Sequence, residues 1–167
     1  MYNQKFLGIQ LRTKKGLKAF VIGLVSIITT ILIPTTNFSS LYSIDFLKIL
    51  LFSLAQLLFV SALCVAADIR DTTEDHEDGI KTFPVILGIS SSKKLVIVML
   101  LINVFLLFIM TESAFLSFKQ FEMLCIISLL SILFTSSLNQ KNSYYFYILL
   151  IDGLILSQAI GVFLLKI

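Results

Sequence analysis

Apolar residues run through this chain in long stretches, at roughly 19–36, 46–67, 95–111, 120–138 and 143–165, with short polar segments between them. These stretches lack the 3.6-residue stripe of a helix with one wet face. Several approach the ~20 residues that a helix needs to cross a bilayer. The pattern predicts an all-α, polytopic transmembrane helix bundle of about five helices, forming a single domain over residues 1–167. The shorter stretches need polar flanks at the interface to complete a crossing. Pro34 and the cluster Thr35-Thr36-Asn37 are expected to end the first helix, because proline and short polar side chains favour leaving helical geometry. The first stretch follows Lys14, Lys15 and Lys18 and has the look of a secretion signal. It lacks a small-residue cleavage site and four more apolar runs follow, so it reads as an anchor.

Composition agrees with lipid as the solvent. Hydrophobic residues make up 57% of the chain and charged residues 14%, with a mean hydropathy of +0.99. A soluble monomer this apolar would expose far more greasy surface than such proteins tolerate. The net charge of +3 matters less than where the charges fall. Lys5, Arg12, Lys14, Lys15 and Lys18 place the N-terminus in the cytoplasm, since basic flanks stay inside. Alternation then puts Arg70, Lys81, Lys93 and Lys94 inside as well, and Lys141 after them. Lys48, Lys119 and Lys166 fall outside, near membrane edges. The expected topology is N-in and C-out, in the inner membrane of a bacterial cell, and nothing supports nucleic-acid binding. Cys64 and Cys125 both sit in apolar stretches and read as small buried hydrophobes, not as a disulfide or a metal pair.

One segment carries chemistry. Six of the ten acidic residues lie between Asp68 and Asp78. If the second helix continued past the interface, Asp68, Asp71 and Asp75 would share an arc of roughly 60°. Three crowded carboxylates at a helix C-terminus repel one another and oppose the macrodipole. A cation would relieve that, and carboxylates with phosphate oxygens are the usual surroundings of Mg²⁺. A solvated acidic loop paired with Arg70 and Lys81 explains the spacing equally well. An EF-hand does not fit, because Arg70 falls third and Gly79 twelfth when the loop is counted from Asp68. A zinc site would have only His76, which reads as an exposed loop residue.

The run Asp68-x-x-Asp71-x-x-x-Asp75, followed by Gly79-Ile80-Lys81-Thr82-x-Pro84 and Leu87-Gly88, resembles the second aspartate-rich motif of UbiA-type intramembrane prenyltransferases. The resemblance implies that Asp71 and Asp75 bind Mg²⁺, with Asp68 as an auxiliary ligand. It implies that Lys81 and Arg70 contact a prenyl diphosphate whose prenyl group passes to a lipophilic acceptor. That acceptor could be a quinone precursor, a chlorophyll-like ring, haem or a lipid headgroup. Members of that family have about nine helices and a first motif, N-x-x-x-D-x-x-x-D, which does not occur here. The chain aligns with the last five helices, so the resemblance implies half a diphosphate site. A non-catalytic remnant, or a subunit needing a separately encoded N-terminal half, is the alternative. A cation-handling membrane protein using Asp152 and the 68–78 cluster is disfavoured by the trailing Gly-Ile-Lys-Thr-x-Pro.

Other polar residues sit within apolar stretches. Asp152 is expensive there and is expected to line a cavity, meet a partner helix or act as a structural hydrogen-bonding group. Gln56, Asn103 and Gln158 read as contacts between helices. Tyr144-Tyr145-Phe146-Tyr147 reads as an interface marker, with a prenyl-tail wall as the alternative.

Overall fold

The computed structural model describes residues 17–32, 46–138 and 144–164. Helix α1 (Leu17–Ile27) runs into a π-helical turn (Ile28–Leu32). Helices α2 (Phe46–Asp68), α3 (Thr72–Glu77), α4 (Phe83–Leu87), α5 (Ile89–Glu112), α6 (Phe118–Ser137) and α7 (Tyr144–Leu164) follow, and the described residues contain no strand. Among the described residues, the first apolar stretch falls on α1 and the π-helical turn and each of the other four on one helix, so the all-α bundle is as expected. The expected stop at Pro34 lies outside the described residues. Helix α5 starts six residues ahead of its apolar stretch, through Ser90, Ser91 and Lys93. The Lys93 ammonium donates to the Ser136 carbonyl at the end of α6, 3.1 Å away.

Among the described residues, α2, α5 and α6 are long and apolar enough to cross a membrane. Their 20 to 24 residues span about 30–36 Å at ~1.5 Å per residue. Helix α6 begins with a reciprocal cap: the Ser117 hydroxyl accepts from the Gln120 amide, and the Gln120 side chain accepts from the Ser117 amide. Two of the donors orphaned at the helix start are thereby satisfied.

Helix α2 is central, packing against α1, α5 and α7. Phe59, Leu63, Ala66 and Ile69 meet Val96 and Leu100 of α5 and Tyr147 and Ile151 of α7 in one buried cluster. The outer faces are apolar too, with Leu50, Leu101, Phe105 and Leu133 more than half exposed. A bundle greasy both inside and out suits lipid.

Polar side chains join the helices where they were expected to. The Asn103 amide donates to the Ala55 carbonyl at 2.8 Å and accepts from the Ser128 hydroxyl at 3.0 Å, linking α5, α2 and α6. The Gln56 amide donates to Gln158 of α7. Cys64 and Cys125 are free thiols, both half-buried. Asp152 is exposed on α7 and so is not a hydrogen-bonding group of the bundle interior.

Candidate functional site

The acidic segment leaves α2 at an abrupt turn. The amides of Ile69 and Arg70 reach back to the carbonyls of Ala66 and Ala67, tightening the last turn. The Thr72 hydroxyl then donates to the carbonyls of Asp68 and Ile69, at 3.1 and 2.8 Å. The carbonyls left over at a helix end are satisfied in this way, and the chain restarts as α3. The continuous helix that would carry Asp68, Asp71 and Asp75 on one arc is therefore not formed.

Each carboxylate has its own setting. Asp68, 4% exposed, accepts a 3.0 Å bond from the Lys18 ammonium at the start of α1. Asp71 is held by the Arg70 guanidinium through both oxygens, with Nη2–Oδ2 at 2.9 Å. The same guanidinium lies over the Tyr147 ring, 5.8 Å from its centre. Asp75 is 7% exposed and its Oδ2 has no hydrogen-bond partner. Among the described residues, no three acidic, histidine or cysteine side chains gather closely enough to hold a metal by themselves. The settings still share one electrostatic neighbourhood, because the Lys18 ammonium senses all three carboxylates.

Beyond Asp75 the chain turns at Gly79, whose φ of +70° suits glycine. Lys81 and His76 are exposed, as expected for His76. Thr82 and Pro84 are buried at the start of α4, and Gly88, at φ +81°, turns the chain into α5.

Three contacts bring helix ends together here. Lys18 joins the start of α1 to the end of α2, Arg70 joins that end to the start of α7, and Lys93 joins the start of α5 to the end of α6. Lys18 and Tyr147 are site neighbours that the sequence marks only as a basic flank and an interface aromatic. No local signal pairs them with Asp68 and Arg70, because the pairing depends on how the helices are packed. Their only sequence cue is that each lies at a helix end with the parity of the acidic segment.

The family model described as VviA prenyltransferase matches residues 5–145, a span that contains the whole acidic segment. No curated protein and no solved structure matches the chain.

Proposed function

The chain belongs to the VviA prenyltransferase family, and from that membership we propose an intramembrane transferase that moves a prenyl group from an allylic prenyl diphosphate to a lipophilic acceptor. The reaction site is the acidic end of the bundle. The observation that carries this reading is the Asp75 carboxylate, buried with one oxygen unpaired. Leaving such an oxygen without a partner is costly, and a cation is its natural complement.

The donor set fits Mg²⁺, a hard ion commonly held by one or two carboxylates together with substrate phosphates and water. Asp71 and Asp75 would hold it, with Asp68 auxiliary. When bound, Mg²⁺ would place positive charge against the departing diphosphate. The protein's own cations act in the same direction. Arg70, steadied by Tyr147, and the exposed Lys81 offer donors to phosphate oxygens. As the allylic carbon–oxygen bond breaks, the diphosphate leaves with the electron pair. The acceptor then bonds to the prenyl carbon and gives up a proton. Apolar side chains of α2, α5 and α7 keep water from capturing the cation first. A first aspartate-rich motif facing this one would complete the shell around the diphosphate.

The test uses the purified full chain in detergent. Mg²⁺ with a prenyl diphosphate is expected to raise its unfolding temperature, since a ligand that prefers the folded state stabilises it by mass action. The double change Asp71→Asn with Asp75→Asn should remove most of that shift. An equal shift in the double variant would overturn the metal assignment.

A further inference from the structure

Among the described residues, the buried side-chain oxygens that lack a hydrogen-bond partner are Asp75 Oδ2, Thr82 Oγ1 and Ser92 Oγ. All three belong to one stretch of chain, 75–92, and they differ in chemistry. One is a carboxylate acceptor and two are hydroxyls able to donate. Thr82 is 1% exposed and Ser92 is fully buried, so bulk water does not reach them.

The bundle shows what buried hydroxyls ordinarily do. The buried Ser61 donates across to the Ala19 carbonyl of α1, the buried Ser128 to Asn103, and Ser131 and Thr135, also buried, each to the carbonyl four residues back. Such back-bonding is the default for serine and threonine in apolar helices. Ser92, in the first turn of α5, does not follow it: its main-chain amide takes the Gly88 carbonyl and its hydroxyl takes nothing. Thr82 stands at the N-cap of α4, where a hydroxyl normally accepts from the second or third amide of the helix. It makes no such cap. The second helical residue is Pro84, which has no amide hydrogen to offer.

Backbone bonds link Asp75 to Thr82 and Thr82 into α4, and a second set links α4 through Gly88 to Ser92. The Ile80 amide donates to the Asp75 carbonyl, the Thr82 amide to Ile80, the Ile86 amide to Thr82, the Gly88 amide to Pro84 and the Ser92 amide to Gly88. Helix α4 packs against both α3 and α5.

We propose that Thr82 and Ser92 are phosphate-binding residues, whose hydroxyls donate to the oxygens of the diphosphate while Asp75 faces its counter-cation. A carboxylate for the cation and hydroxyls for the anion match the two halves of a metal–diphosphate. Lys81, beside Thr82, adds charge from the exposed side. The proposal rests on the diphosphate reading above and extends it to two residues that carry no charge.

The test measures binding of Mg²⁺–pyrophosphate to the purified full chain by calorimetry. Thr82→Val and Ser92→Ala each delete a hydroxyl with little change of shape. Each should weaken binding about tenfold or more, as loss of a hydrogen bond to a charged group does. Thr82→Ser should retain binding. The ligand-free variants should unfold at the same temperature as the parent chain or higher, because an unpaired buried donor has been removed. Unchanged affinity in both variants, with binding still lost in Asp75→Asn, would overturn this inference alone and leave the hydroxyls holding a bound water only. A lower unfolding temperature without ligand, at unchanged affinity, would assign them a structural role instead. If the parent chain binds no Mg²⁺–pyrophosphate, both readings fall together.

Discussion

Lys18 and Asp68 are fifty positions apart in sequence and 3.0 Å apart in the structure. The Lys18 side chain is 47% exposed and the Asp68 side chain 6%, so the carboxylate is the member that depends on the pair. Lys18→Met would strand a buried carboxylate, at a cost of about 1–3 kcal/mol. Adding Asp68→Leu should recover much of that loss, because removing both partners leaves no orphan. Unfolding of the three variants in detergent checks this, and a double variant less stable than Lys18→Met would contradict it. The same logic separates Asp75 from Asp68 and Asp71. Its neighbours are paired to cations of the chain, and Asp75 keeps an oxygen unpaired.

Helices α1 and α2 approach closely at Gly23. A Cβ placed there would lie 2.5 Å from the Ser61 hydroxyl and 2.9 Å from a Leu57 methyl. With Ala19 one turn earlier and buried, the face has the small-x-x-x-small spacing that lets membrane helices close up. Gly23→Ala should cost less than a larger residue, since the Leu57 methyl can rotate away and only the Ser61 hydroxyl must give up its bond to the Ala19 carbonyl. Gly23→Leu should destabilise by about 1–3 kcal/mol through overpacking. It should also loosen the Lys18–Asp68 contact, which lies at the same helix pair. Unfolding midpoints of the two variants measure the first effect, and Mg²⁺–diphosphate affinity the second. Equal midpoints for Ala and Leu would mean that α1 and α2 are not held this tightly. The polar turn after α2 is also an element-level event: Thr72 ends the helix, so the acidic residues occupy two helices and the turn between them.

The molecule as a whole collects its chemistry at one end, where α1, α5 and α7 begin and α2 and α6 finish. The basic residues of that end predict that it faces the cytoplasm. With Cys64→Ala and Cys125→Ala as background, a cysteine at His76 should be shielded from an impermeant thiol reagent in intact cells. One at Ser113, in the exposed turn between α5 and α6, should react. Labelling of position 76 from outside would reverse the topology. The sequence by itself was enough for the helical class, for the five apolar stretches and for the acidic segment with its Gly-Ile-Lys-Thr-x-Pro ending. Hydrophobic runs and clustered charges are local properties, and a bilayer leaves the backbone within it few choices besides helix. The sequence also pointed to Asn103, Gln56 and Gln158 as links, because an amide in an apolar stretch needs a partner. It could not say which partner, nor that Lys18 and Tyr147 border the acidic residues, nor that Asp152 faces outward. Tertiary packing alone decided those matters: a contact between helices depends on which faces meet and in what register, and neither is written in the residues of one helix.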